Sequence, residues 1–355
     1  MTSRLHRTRR GSASHKARLA WVLLVAGALA GCSSAGTAPK PRTHAPRTTT
    51  STATTGAAPT GTAQVRAPRR PPTLLVDRLP IRLPEPLARE AVSTGTDPRR
   101  VLVAGGLVAG DASSSSSYTL DLRSGHVTHR SPLTMAVHDT AGARVQGGPL
   151  VIGGGNATEQ SVVQRRGPNG WHDVGHLPTA RSDLSAVTTG GRVYVLGGYD
   201  GRSPALADVL VSRTGHRWRT LCRLPVPVRY AATVVVGGSV WVLGGERNGA
   251  AVDAVQRVDL AAHRATVVGH LAHPTGHAVA VRLGGRILLV GGRTSGDQVT
   301  ARMWWYRPGA SAAKPAGRLP HPLADTAVVA TGGTAYLVGG ETPALTDAVL
   351  RLRWR

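Results

Sequence analysis

Six short segments carry side chains that could hold a polar ligand: Arg89-Glu90, His138-Asp139, Arg181 with Asp183, Arg229-Tyr230, His277 and Asp325. Arginine forks suit carboxylate or sulfate groups, and acids suit sugar hydroxyls or basic peptides. A second set, Asn156, Tyr199-Asp200, Glu246-Arg247, Arg293 and Glu341, lies just past an apolar run in each case. Catalytic motifs are absent: there is no G-x-S-x-G, no H-E-x-x-H and no phosphate-binding glycine loop. His138 and Asp139 have no Ser or Cys at motif spacing, and adjacent strand residues point to opposite faces. The stretch GHLAHPTGH holds His270, His273 and His277 at a ligand-like spacing, but Pro274-Thr275-Gly276 breaks the helix that such a pair needs. His270 also takes the place of Arg82, His176, Arg223 and Arg318 in neighbouring segments, as a solvated strand edge would. Neither a metal nor a cofactor is expected.

These residues must be positioned by something that recurs. Apolar runs ending in Gly-Gly occur six times, with first glycines at 105, 154, 197, 244, 291 and 339, so the spacing is 43 to 49 residues. A second glycine pair stands seven residues ahead in five of the six, as in GGRVYVLGG (190–198), and Asp97-Pro98 takes its place in the first. The leading pair supplies a tight hairpin turn. The β-branched and aromatic residues between form a buried strand, and the second pair ends it where a side chain would collide with a neighbouring backbone. Two weaker strands follow, as DVLVSRT (208–214) and HRWRTLCRL (216–224), before a Leu-Pro or its equivalent. Four strands at this period fit a propeller blade, and six exits predict six blades.

The glycine doublet after an apolar strand, with Trp171 and Trp218 in fourth strands, resembles the kelch repeat over residues 73–355. Ala265 and Ala313 replace that tryptophan elsewhere. The resemblance implies an all-β, six-bladed kelch-type propeller of four-stranded antiparallel blades. LPEPLAREAV (83–92) aligns with LPHPLADTAV (319–328), which leaves LLVDRLPIR (74–82) an orphan strand and the last blade one strand short after DAVLRLRWR (347–355). The amino-terminal strand is therefore expected to close the carboxy-terminal blade and remove two free edges. First-strand starts and glycine-exit loops then share one mouth of the disc, where Arg89, His138, Asp139, Arg181, Asp183, Arg229, Tyr230, His277, Asp325, Glu246 and Arg293 are the expected ligand-binding residues.

The amino end reads as an address and a tether. Basic residues fill 1–18, the apolar run LAWVLLVAGALA follows, and Leu29-Ala30-Gly31-Cys32 resembles a bacterial lipoprotein box. The resemblance implies cleavage after a signal peptide of residues 1–31, acylation of Cys32, and anchoring at the outer face of the cytoplasmic membrane. Residues 32–72 then hold the lipidated Cys and a Ser/Thr/Pro-rich linker that cannot bury enough apolar surface to fold. Its coil span is about 35 Å. With Cys32 so used, Cys222 has no disulfide partner and reads as a buried structural thiol. Only three of the 43 basic residues are Lys, and the Ala, Gly and Pro content suggests a GC-rich, actinobacterial source.

The formal charge is +24, and residues 1–72 contain basic residues and no acid. In the remainder the two signs are interspersed, so the surface reads as solvated and basic. Nucleic acid is not an expected partner, because export removes it and no aromatic–basic stacking surface is visible. The expected function is a monomer that binds a cell-envelope protein or carbohydrate through its loop face. The alternative is a carbohydrate-acting enzyme at the same mouth, since kelch propellers include sugar mutarotases and copper-radical oxidases. The oxidase chemistry needs a Cys–Tyr link, and Cys222 lies in a fourth strand far from the channel.

Overall fold

The computed structural model describes residues 73–310, 313–331 and 333–354. The expected signal peptide, Cys32 and the expected linker lie outside them. Six four-stranded antiparallel sheets follow one another around an axis, spanning 91–129, 141–176, 185–223, 232–270, 279–318, and 327–354 together with Leu74–Arg82. Each is a meander whose first strand is innermost. Second strands such as Val193–Leu196 or Ile287–Val290 are buried on both faces, because the next blades pack against each side. That is why these strands read as continuous apolar runs, such as Ile287-Leu288-Leu289-Val290, and not as alternating ones.

The closing strand has the expected bounds. Leu74–Arg82 pairs antiparallel with Ala348–Trp354, with Val76 opposite Leu352 and Leu75 opposite Arg353. Asp77 fixes the seam further by accepting hydrogen bonds from Arg351 and Arg353. The orphan strand and the short blade therefore complete one another.

The glycine exits join blade to blade. In the third repeat Gly197 has φ +61°, and a Cβ there would lie 2.1 Å from the carbonyl oxygen of Val228 in the next blade. Gly198 then donates its N–H to that same oxygen at 3.0 Å. The pattern runs round the whole ring, from Gly106 to Val137, Gly154 to Arg181, Gly245 to Thr275, Gly292 to Leu323 and Gly340 to Leu87. A side chain at the first glycine would push the donor away from its acceptor. The doublet is thus an inter-blade joint.

Three short hairpins rise after the exits of blades one, four and five: Leu107–Val108 with Ala112–Ser113, Glu246–Arg247 with Ala250–Ala251, and Arg293–Thr294 with Gln298–Val299. Their turns are Asn248-Gly249 and Gly296-Asp297 in the latter two, all with positive φ. Cys222 is half-buried in the outer strand of blade three, and burial raises its thiol pKa.

Candidate ligand-binding mouth

The mouth is built from one backbone device used six times. Just before each innermost strand, a residue bridges to the exit loop of its own blade: Ala88 to Leu107, His138 to Gly155, Ser182 to Tyr199, Arg229 to Glu246, Gly276 to Arg293 and Ala324 to Glu341. The residue after each bridge is left-handed, and these six are Arg89, Asp139, Asp183, Tyr230, His277 and Asp325, with φ between 48° and 60°. The conformation turns the amide toward the preceding blade. Asp183 donates to the Asp139 carbonyl, Tyr230 to Asp183, His277 to Tyr230, Asp325 to His277 and Arg89 to Asp325, at 2.9–3.0 Å. Aspartate tolerates this region; Arg, Tyr and His pay roughly 1–2 kcal/mol each to occupy it.

The six side chains surround the axis. Arg89, Tyr230 and His277 line both a channel constriction of about 140 Å³ and, above it, an open cup of about 530 Å³. The cup lies over blades four and five, where Arg229, Glu246, Arg293 and the turns 249–251 and 294–297 form its wall. Asp139, Asp183 and Asp325 lie in the constriction below.

Within the cup every fork is engaged. Arg89 donates from Nε to Glu341 at 3.0 Å and from Nη1 to Asp139 at 3.3 Å. Arg229 reaches Asp183 at 3.2 Å and Glu246 at 3.1 Å, leaving its Nε buried without an acceptor. Arg293 bonds Asp325, Asp297 and Glu341. His277 is held at both ring nitrogens, Nδ1 by Asp325 at 2.6 Å and Nε2 by Glu246 at 3.0 Å. Tyr230 stacks on its imidazole with ring centroids 3.8 Å apart.

Charge follows from these contacts. Burial opposes the imidazolium of His277, but Asp325 and Glu246 outweigh it and raise the pKa to about 9. Both nitrogens therefore carry protons at neutral pH, and His277 has no lone pair with which to act as a base. Burial likewise works against ionised Asp325, yet His277, Arg89 and Arg293 hold its carboxyl below the ordinary range. Asp139 and Asp183 go the other way: burial raises both, the Asp325 charge adds to it at Asp139 and the Asp139 charge at Asp183. Deeper in the channel Glu90 is 6% exposed, neither carboxyl oxygen meets a donor at hydrogen-bond geometry, and burial pushes its pKa up to about 8.

Of the residues expected from sequence, Arg89, Asp139, Asp183, Arg229, Tyr230, Glu246, His277, Arg293 and Asp325 are brought together. His138 stands beside them, with Nδ1 on Ser113 Oγ at 2.8 Å and Nε2 3.5 Å from Asp139. Arg181 is not at the mouth. It occupies the column of Leu87, Val137, Val228, Thr275 and Leu323, one residue before the bridge, and is 0% exposed. Its Nη1 donates to the Gly197 carbonyl at 3.0 Å, so this arginine is a structural bolt in a mostly apolar column. The other two histidines of the GHLAHPTGH stretch diverge: His270 pairs with Asp253 at the surface and His273 packs on Trp304. The hairpin turns that wall the cup were missed, although Asn248-Gly249 is a strong hairpin signal.

Residues 180–211, the start of the third repeat, match the Kelch motif. No curated protein matches the chain. A solved structure described as "Structure of YjhT" superposes with a TM-score of 0.67 at 17% identity, covering 77% of this chain and 99% of that one. That likeness concerns the fold.

Proposed function

We propose that the chain is a lipid-anchored, extracytoplasmic kelch-type propeller lipoprotein that binds a cell-envelope carbohydrate or protein through the mouth. One observation carries the reading. Arg89, Tyr230 and His277, held in a costly left-handed conformation, face both the cup and the channel. The cup volume suits a small ligand or the tip of a larger one. Because the arginine forks are already bound to Glu246, Glu341 and the aspartates, an incoming anion would have to displace a carboxylate. A ligand rich in hydroxyls can instead bridge neighbouring carboxylate and guanidinium groups without breaking the network. The amino-terminal lipoprotein box and linker support anchoring at the outer face of the cytoplasmic membrane.

The test is a glycan, wall-fragment and peptide array probed with the full chain and with Arg229→Ala. Saturable binding of a hydroxyl-rich probe, lowered tenfold or more by the substitution as for loss of a charged hydrogen bond of about 1.5–3 kcal/mol, supports the reading. Binding indifferent to Arg229 refutes it. A second reading, an enzyme acting on the bound sugar, is favoured by Asp139, which keeps Oδ1 without a donor and a raised pKa beside the cup. Product formation that disappears in Asp139→Asn distinguishes it from plain binding.

A further inference from the structure

The fold that gathers the mouth also sorts charge to the far end of the sheets. The turns joining first to second strands, and third to fourth, all lie opposite the mouth. In blade three they supply Arg192, Arg213, Arg217 and Arg219 around a cavity of about 340 Å³ beside Trp218. Blade five repeats the arrangement with Arg286, Arg307 and Lys314 around about 370 Å³ beside Trp305. Arg99, Arg100 and Arg123 extend the arc in blade one, and Arg144, Arg165 and Arg166 in blade two. No ion pair among the described residues engages any of these thirteen.

The acids at these turns are committed elsewhere. Asp97 accepts from the Arg99 amide, Asp121 from Arg123 and Ser124, and Asp259 from Ala261 and Ala262. Each carboxylate caps its own turn, and only Asp259 also reaches an arginine side chain, Arg257 at 3.3 Å, which is not one of the thirteen. A sequence in which the signs look interspersed therefore folds into a mouth rich in paired acids and an opposite end where thirteen basic residues outnumber the few, such as Arg257 and Arg353, that are paired.

The point where the chain enters the propeller adds direction. Leu74 pairs with Trp354, so the closing strand begins at this same basic end. The segment before it, residues 1–72, holds twelve Lys and Arg and no acid.

We infer that the end opposite the mouth docks on anionic phospholipid headgroups of a bilayer. Exposed guanidinium groups, such as those of Arg213, Arg217 and Arg219, gain from the negative surface potential of such a membrane, and tryptophan indoles suit the headgroup layer. Docking this way leaves the cup facing outward. The inference deepens the anchored reading and rests on it for keeping the propeller near the membrane; the charge arc itself does not depend on acylation of Cys32.

The experiment uses the full chain carrying Cys32→Ser, which cannot be acylated. It is sedimented with phosphatidylcholine vesicles, with and without phosphatidylglycerol. Two triple variants of equal net charge are compared: Arg213→Glu/Arg217→Glu/Arg219→Glu at the basic end, and Arg202→Glu/Arg302→Glu/Arg318→Glu at exposed mouth-end positions. An arginine at the surface is worth about fivefold in partitioning. The basic amino segment is common to every form, so the difference between the triples reads the face. The basic-end variant is expected to bind phosphatidylglycerol vesicles at least tenfold more weakly than the mouth-end variant. Raising the salt from about 0.1 M to about 1 M, which shortens the Debye length from about 10 Å to about 3 Å, is expected to abolish that difference. Equal losses in both variants, or no preference for phosphatidylglycerol, overturn the inference. So does heparin binding that needs the same arginines without vesicle binding, which would make a soluble polyanion the partner. If circular dichroism shows the glutamate variant unfolded, the same triple made Arg→Gln repeats the comparison. Mass spectrometry of membrane-extracted protein tests Cys32 acylation separately, so failure of the anchor and failure of the docking face are distinguishable.

Discussion

Glu90→Gln tests the electrostatics of the channel. Glu90 is buried, burial outweighs the backbone N–H groups of Glu90 and Ala327 near its carboxyl, and its pKa stands at about 8 against 4.5 for a free glutamate. The sign follows from linkage: the folded state holds this proton more tightly than the unfolded chain. Glu90 therefore costs nothing below the unfolded pKa, and its penalty grows as pH rises from about 4.5 through 8. At pH 7 the gap of roughly 2.5 pH units above the unfolded pKa corresponds to a penalty on the order of 3 kcal/mol. Glutamine keeps the shape and never ionises. Urea unfolding of parent and variant at pH 4 and pH 7 is the assay. The variant is expected to match the parent at pH 4 and to exceed it by about 3 kcal/mol at pH 7. A stability difference that is the same at both pH values would come from packing alone and would rule out a Glu90 that ionises at a cost.

Other outcomes follow from the same geometry. His277→Gln removes a group whose pKa rises from 6.5 to about 9 on folding, so parent stability should fall by about 3 kcal/mol more than the variant's as pH climbs from 6.5 through 9. Thermal or urea unfolding across that window checks it, and parallel curves would contradict it. Gly197→Ala, which drives a Cβ to 2.1 Å from the Val228 carbonyl, should cost more than 2 kcal/mol. Gly191→Ala, also left-handed but with nothing within 4 Å, should cost only about 1–2 kcal/mol. Leu352→Ala, at a fully buried position opposite Val76 in the seam, should lower the unfolding free energy measured in urea by about 2–5 kcal/mol.

The propeller was legible in the sequence because its joints are chemical necessities repeated at one spacing. Only glycine can place its backbone against the next blade's carbonyl, so Gly197 and its five counterparts mark every exit. The orphan strand Leu74–Arg82 could be matched to the unfinished blade because LPEPLAREAV aligns with LPHPLADTAV, which leaves one strand too many at the start and one too few at the end. Arg181 shows the limit. A shift of one residue moves a side chain from the axis into the inter-blade core, and only the column of Leu87, Val137, Val228 and Leu323 betrays it. The basic end was invisible for a different reason. Arg99, Arg144, Arg192 and Arg286 are far apart along the chain and mixed with acids, and no run of charge announces them. It is the meander, by returning every turn to one end, that makes them neighbours.

The most direct test of the mouth is a crystal structure of the protein with the strongest array probe bound. The account predicts density in the cup over blades four and five, within hydrogen-bond reach of Arg229, Glu246 or the 294–297 turn and above the Tyr230–His277 stack. A probe seated on any other surface, with the cup empty, would contradict it.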